Sequence, residues 1–262
     1  MTDAPRKKIF FERIRIGCLL SLLLFCCPSP TKADQFPDKI LLRPDFNLSR
    51  SIELREKLRQ ITGWEDLGFD ENGALIPGGE KTVGGSPTAR KLLTEAARGE
   101  NVIVLEDASN RQDIAFCSVV EGRWKTDVAN KPPVFIILID FADFAHVTGD
   151  KAALAAFNEG WGVLHEIEHV IHDAADTSRL GELGDCEGLI NLMRRECGLA
   201  ERADYFFTLF PGSSDSGFMT KVVRLAFDIT RPGTNKKKRF WLVWDARLVG
   251  GVDQQKSVVA RL

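Results

Sequence analysis

Apolar residues recur along this chain with two different periods. Where they recur every three to four residues they predict amphipathic helices, at positions 47–63, 87–98, 151–173 and 184–198. Shorter continuous or alternating apolar runs predict strands, at 102–105, 114–120, 134–139, 222–229 and 240–249. Helices and strands are interleaved, so the pattern predicts a mixed α+β domain with the helix at 151–173 near its middle.

Turn residues place two hairpins in this pattern. Asn72-Gly73 lies between two short apolar runs and predicts a tight hairpin turn. The last two predicted strands form a long C-terminal β-hairpin, whose tip at 232–239 carries several basic residues. We expect that tip to be a solvated turn, with contact to an acidic partner as the alternative.

The first 33 residues have the pattern of a secretory signal peptide. Four basic residues between positions 7 and 15 precede an apolar run of 12 residues, 16–27. A membrane-spanning helix needs about 20 apolar residues, and the small residues Thr31 and Ala33 suit a cleavage site. We therefore expect cleavage near Ala33, a secreted or periplasmic chain, and no stable membrane insertion afterwards. The alternatives are a buried or amphipathic N-terminal helix and a lipoprotein signal through Cys26 or Cys27, which the bulky residue before either cysteine disfavours.

The remaining residues, 34–262, are long enough for one domain. Within it we expect an N-terminal part at 34–130, the main helices at 131–210 and the hairpin at 211–262. A formal net charge of −2 gives no electrostatic basis for binding nucleic acid.

One five-residue motif carries the strongest chemical signal. His165, Glu166 and His169 form the pattern H-E-x-x-H inside a predicted helix, in a chain with only four histidines. Histidines four residues apart lie on one helix face, so both imidazoles can bind a single tetrahedral zinc ion. Glu166 can accept a proton from water at that ion. Apolar residues occupy the opposite side of the helix, so we predict a zinc site on one face and core packing on the other.

A catalytic zinc site needs a third protein ligand. His172 lies seven residues after His165, about 10.5 Å along an unbroken helix, which is too far for one zinc ion. No later histidine completes the longer H-E-x-x-H-x-x-G-x-x-H pattern. The third ligand is therefore expected to be a downstream carboxylate, and the candidates are Glu182, Asp185, Glu187, Glu196 and Glu201. Asp140 and Asp143 could orient a ligand histidine or could begin a helix.

Over residues 134–206 the chain resembles the zincin metallopeptidases, in particular their glutamate-ligand branch, the gluzincins. In that branch a second helix downstream of the H-E-x-x-H helix supplies a glutamate ligand, and Glu187, 18 residues after His169, matches its position best. The segment 194–205 is similar to one found in bacterial effector-type and toxin-associated zinc peptidases. The resemblance implies a zincin-like fold, with a small sheet packed on the H-E-x-x-H helix and a second ligand-bearing helix, and Zn²⁺ bound by His165, His169 and Glu187.

These residues together predict a secreted zinc metallopeptidase that acts on a peptide or protein substrate. Zinc would lower the pKa of a water toward about 7, and Glu166 would act as general base and then protonate the leaving amine. Tyr205, the one tyrosine of the chain, could donate to an oxyanion or could be a tyrosine at the edge of the core. The alternatives are a non-enzymatic secreted module that binds zinc structurally or recognises a partner, and a cell-wall amidase.

Three of the six cysteines, Cys117, Cys186 and Cys197, lie outside the signal. Cys186 and Cys197 are 11 residues apart on one predicted helix, about 16 Å, which is too far for a disulfide. No cysteine has the spacing of a metal ligand, so we expect buried, unreactive thiols.

Overall fold

A computed structural model of the chain describes residues 39–79, 81–109, 111–125, 130–209, 221–231 and 233–250. The predicted signal peptide lies outside these residues. The helices are α1 Leu48–Thr62, α2 Pro87–Arg98, α3 Phe141–Ala145, α4 Lys151–Ala155, α5 Glu159–His172 and α6 Gly184–Glu196. The strands are β1 Ile40–Leu42, β2 Gly68–Phe69, β3 Leu75–Ile76, β4 Val102–Asp107, β5 Cys117–Glu121, β6 Val134–Ile139, β7 Thr148–Gly149, β8 Glu201–Arg202, β9 Thr208–Leu209, β10 Val222–Thr230 and β11 Lys237–Asp245. The predicted mixed α+β class is confirmed.

Four strands form a mixed sheet in the order β1-β4-β6-β5. The first three are parallel to one another, and β5 pairs antiparallel with β6. The continuous apolar run at 134–139 became β6, which has a strand on each side, as expected for a strand buried in a sheet. Among the described residues, β5 forms one edge of this sheet.

Helix α5 lies at the centre of the fold, where it packs against α1, α2, α6 and the strands β5 and β6. Val163, Leu164 and Ile167 on its inner face are buried in the main hydrophobic core. The predicted division of this helix into an apolar face and a histidine face is therefore confirmed. No helix in the described part of the chain is long and apolar enough to span a membrane.

The helix predicted at 151–173 is interrupted in the structure. Asn158, in an extended conformation, caps a new helix by accepting hydrogen bonds from the backbone N–H groups of Gly160 and Trp161. The chain therefore forms the short α4 and the separate α5, which ends at His172 and is followed by Asp173 with a left-handed φ of 52°.

The predicted C-terminal hairpin is confirmed and belongs to a larger sheet. Strands β10 and β11 pair from Val222↔Asp245 to Thr230↔Lys237, and β8 and β9 add to β10 while β7 adds to β11. Its buried side forms a second hydrophobic core, which includes Val223, Leu225, Phe227, Leu242 and Trp244. The Asn72-Gly73 turn also joins a hairpin as predicted, between β2 and β3.

Candidate metal centre

The two histidines of the H-E-x-x-H motif lie together on the face of α5 opposite its apolar side. The ring centroids of His165 and His169 are 4.8 Å apart. Their side chains are only 12% and 20% exposed, so both imidazoles are largely removed from water. One helical turn thus brings two nitrogen ligands to the same small volume.

A carboxylate from the loop after α5 lies against both imidazoles. This loop turns back after Asp173, and a backbone bridge joins Asp176 to Gly184 at the start of α6. Oδ1 of Asp176 is 3.2 Å from Nε2 of His165, and its Oδ2 is 3.4 Å from Nε2 of His169. The side chain of Asp176 therefore reaches both histidines at the nitrogens that face the same way.

The other nitrogen of each ring has a protein partner. Nδ1 of His169 lies 2.6 Å from the carbonyl oxygen of Ala174, which can only accept a hydrogen bond, so this nitrogen carries the proton. Nδ1 of His165 lies 3.5 Å from Oε2 of Glu187. Partners of this kind fix the orientation of metal-binding histidines and leave Nε2 available.

Electrostatics at the site favour a bound cation. Burial opposes the charged form of His165, but Asp176, Cys186 and Glu187 raise its pKa well above the usual value. Asp176 and Cys186 raise the pKa of His169 to about 11. Burial would raise the pKa of Asp176, yet the two histidines hold it well below its ordinary value. The two histidines and the Asp176 carboxylate thus share protons in the folded chain, and a divalent cation can replace these protons.

Cys186 belongs to the same cluster. His165, His169, Asp176 and Cys186 each have a ligand atom within 4.8 Å of the others, and this group could hold a metal ion. Cys186, like Cys117 and Cys197, is a free thiol. Cys186 is buried as expected, but its spacing along the sequence did not indicate that it lies in this group; it does so because α6 packs its first turn against His165.

The thiol and the Asp176 carboxylate approach different nitrogens of His165. Sγ of Cys186 lies 3.4 Å from Nδ1, whereas Asp176 lies at Nε2. The lone-pair directions of these nitrogens diverge across the ring, so a single ion cannot bind both. Coordination through Nε2 of His165 with Asp176 therefore excludes coordination through Nδ1 with Cys186.

Glu187 lies outside this group, behind His165. It is 1% exposed and ion-paired with Arg194 and with Nη1 of Arg202, the latter at 3.0 Å. Burial would raise the pKa of Glu187, but the two guanidinium groups hold it well below the usual range. The structure thus brings Glu187 beside His165 but on the Nδ1 side, away from Asp176 and His169.

The other carboxylates indicated by the sequence lie elsewhere. Glu182 is exposed beside Arg179, Asp185 is exposed, Glu196 accepts hydrogen bonds from Ser86 and Thr88, and Glu201 pairs with Arg195. None of these four belongs to the group of residues that could hold a metal ion.

Glu166 and Tyr205 both lie at the site. Glu166 is 8% exposed; burial raises its pKa, and the neighbouring histidines and the backbone of Val119 in β5 act in the opposite direction. The Tyr205 hydroxyl donates to Oδ2 of Asp176 at 2.5 Å, and its ring stacks on His165 with centroids 6.4 Å apart. Tyr205 therefore holds the carboxylate that bridges the two histidines.

His172 and the acids before α4 lie away from the group. The ring of His172 lies between Glu168, at 2.8 Å, and Glu95, at 3.4 Å. Asp140 caps α3, and Asp143 accepts hydrogen bonds from the backbone of Phe116 and Gly250. The sequence allowed Asp140 either to orient a ligand histidine or to begin a helix, and the structure shows that it begins α3.

Sequence reasoning missed Asp176 and Cys186. Asp176 follows His169 by seven residues, in the turn that ends α5, and our sequence-based candidates began only at position 182. A polar loop directly after an H-E-x-x-H helix is the signal that could have indicated it.

Comparison with known proteins adds no assignment for this site. A scan against protein-family models found no match, and neither did searches of curated proteins and of solved structures.

Proposed function

We propose that this chain is a zinc-dependent hydrolase of peptide bonds, with a zincin-like arrangement in which His165, His169 and Asp176 are the ligands. One observation carries the proposal: a single carboxylate lies 3.2 and 3.4 Å from the Nε2 atoms of two histidines that flank Glu166. Two imidazoles and a carboxylate form a donor set that suits zinc, and three protein ligands leave a coordination position open. In this proposal the third ligand is Asp176, whereas the sequence led us to expect Glu187.

Each neighbouring residue has a distinct task in this proposal. Zinc, when bound, supplies a Lewis acid that polarises a carbonyl and lowers the pKa of water. Glu166 accepts a proton from the attacking water and returns it to the leaving amine. Glu187 orients the ring of His165, and Tyr205 holds the carboxylate of Asp176.

The sheet edge beside Glu166 supports a peptide as the substrate. Within the described residues, β5 pairs with a strand on one side only, and it packs against α5, where the backbone of Val119 acts electrostatically on the carboxylate of Glu166. An extended peptide can add to such an edge through main-chain hydrogen bonds. That would bring a peptide bond close to the proposed general base.

A structural zinc site is the second candidate, and one observation favours it. Cys186 lies in the group of possible ligands, and a fourth protein ligand would close the site to water. Against it, Sγ of Cys186 lies 3.4 Å from Nδ1 of His165, whereas Asp176 lies at Nε2, so the thiol would have to shift to bind an ion held at Nε2.

The substitution Glu166→Gln separates the two candidates. It preserves the shape of the side chain but removes its ability to take a proton, so peptide hydrolysis should fall at least about 100-fold. Zinc content and melting temperature should change little. Cleavage of a broad peptide library by zinc-loaded protein is the assay, and Glu182→Gln, the same change at an exposed glutamate, is the control. Full activity in Glu166→Gln, or a zinc-loaded wild type that cleaves no peptide, would exclude the proposed mechanism.

A further inference from the structure

A cavity of about 300 Å³ adjoins the metal-binding group. His165 and Glu166 line it on the side of α5, and Leu225 lines it from the C-terminal sheet. Much of the remaining wall is aromatic, formed by Phe116, Phe144, Phe157, Phe207 and Trp244. The cavity therefore joins the proposed reaction centre to a largely apolar interior.

The aromatic wall is built around Phe116. Its ring centroid lies 5.2 Å from that of Phe144, 5.0 Å from Phe157 and 5.3 Å from Trp244. Rings at these distances, inclined to one another, form favourable aromatic contacts. The wall is thus a set of rings in mutual contact and not a row of independent side chains.

The backbone of Phe116 is held in an uncommon conformation. Its φ is 64°, a left-handed value that a bulky residue rarely adopts. The N–H of Phe116 donates to Oδ2 of Asp143 at 3.0 Å, and its carbonyl accepts from the N–H of Asp140 at 2.7 Å. Strain of this kind persists where surrounding contacts impose it, and it is found preferentially at ligand-binding sites. These contacts preposition the ring in the cavity wall.

Charged residues at the cavity already have partners. Glu187 pairs with Arg194 and Arg202, and Arg202 also donates to the backbone carbonyls of Asp204 and Tyr205. Of the described residues that line the cavity, none has a buried polar side-chain atom without a hydrogen-bond partner. These ion pairs and hydrogen bonds lie within the protein, so an apolar group can enter without replacing a partner of Glu187 or Arg202.

The volume suits one large side chain. An apolar protein cavity of about 150 Å³ is sufficient to bind benzene. A cavity twice as large accommodates a benzyl or indolyl group together with the atoms that attach it to a peptide backbone. A methyl side chain would leave most of the space unfilled and would bury little apolar area.

We propose that this cavity binds a bulky apolar side chain, aromatic by preference, of the residue next to the bond that is cleaved. The inference rests on the proposed function, because it places the reaction at His165 and Glu166, which line the cavity. It adds the substrate class: peptides are selected by one large apolar residue, and Phe116 sets the shape of the pocket that recognises it.

Narrowing the cavity tests this inference. Ala115 lines the cavity, so Ala115→Leu adds bulk there, whereas Ala145→Leu makes the same change at an exposed position of α3. Zinc-loaded wild type should cleave peptides with Phe, Tyr, Trp or Leu at one position beside the cleaved bond at least about 10-fold faster, in kcat/KM, than peptides with Ala there. Ala115→Leu should reduce this ratio at least about 10-fold, and Ala145→Leu should leave it unchanged.

A second measurement does not depend on catalysis. Binding of 3-phenylpropanamide, followed by tryptophan fluorescence, to which the lining residues Trp161 and Trp244 contribute, should be weakened at least about 10-fold by Ala115→Leu and unaffected by Ala145→Leu. Cleavage without side-chain preference, or an unchanged preference in Ala115→Leu, would contradict the assignment of the cavity as a substrate pocket but not the proposed hydrolase function. Probe binding as expected without cleavage of any peptide overturns the proposed function, and with it the role of the pocket in substrate selection.

Discussion

At the scale of single residues, Asp176 and Glu187 both contact His165 but lie in opposite electrostatic surroundings. The Asp176 side chain is 33% exposed and faces two imidazoles and a phenol. Glu187 is buried between two guanidinium groups. A divalent cation placed at Glu187 would be repelled by Arg194 and Arg202, whereas at Asp176 it would replace protons shared with the histidines. Charge therefore favours Asp176 as the ligand.

Matched substitutions of these two carboxylates test that assignment. Asp176→Asn should lower zinc affinity by more than the roughly 10- to 100-fold that a residue supporting a ligand typically costs. Glu187→Gln should stay within that range but should destabilise the fold by about 3 kcal/mol or more, because it leaves a buried guanidinium group unpaired. Zinc titration with a competing chelator and urea unfolding measure the two effects. Unchanged zinc affinity in Asp176→Asn would show that another residue completes the site.

At the scale of elements, the sequence predicted those helices, strands and turns that depend on interactions between residues close together in the chain. The inner face of α5, the turn at Asn72-Gly73 and the buried strand β6 follow from apolar spacing and turn chemistry, which act within a few residues. The break between α4 and α5 could not be predicted from the sequence, because Asn158 could equally have been a polar residue within one longer helix. Its role as a cap depends on where the preceding chain leaves the helix.

The site itself was predictable in part for the same reason. A spacing of four residues places His165 and His169 on one face of a helix, so their proximity could be predicted from the sequence alone. The 18-residue spacing to Glu187 predicts proximity to His165, since α6 packs against α5, but not the nitrogen that it approaches. Asp176 lies in the polar loop directly after this helix, but its approach to both imidazoles depends on its contacts with Tyr205 and Gly184, which the sequence spacing does not encode.

At the scale of the whole molecule, one buried carboxylate connects distant parts of the chain. Asp143, 3% exposed, accepts hydrogen bonds from the N–H of Phe116, before β5, and from that of Gly250, after β11. Burial raises the pKa of Asp143 to about 6, with the negative charge of Asp140 acting in the same direction. The folded chain therefore keeps a proton that the unfolded chain has already released above about pH 4.

The stability of the fold should depend on pH accordingly. Because the folded state binds more protons between about pH 4 and pH 6, the contribution of Asp143 to stability falls as pH rises through that window, by about 3 kcal/mol at most. Asp143→Asn lacks this titration, so the free energy of unfolding of the wild type relative to the variant should decline from pH 4 to pH 6 and level off above. Urea unfolding with a metal chelator present measures it. A difference that is constant across this range would contradict the buried, protonated state of Asp143.

The central claim is an open zinc site with ligands from His165, His169 and Asp176, and X-ray absorption at the zinc edge tests it most directly. The wild-type chain refolded with zinc should bind close to one ion per molecule. Its first coordination shell should contain only nitrogen and oxygen at about 2.0–2.1 Å. A sulfur scatterer at about 2.3 Å would place Cys186 in the shell and would contradict the account, as would a chain that retains no zinc.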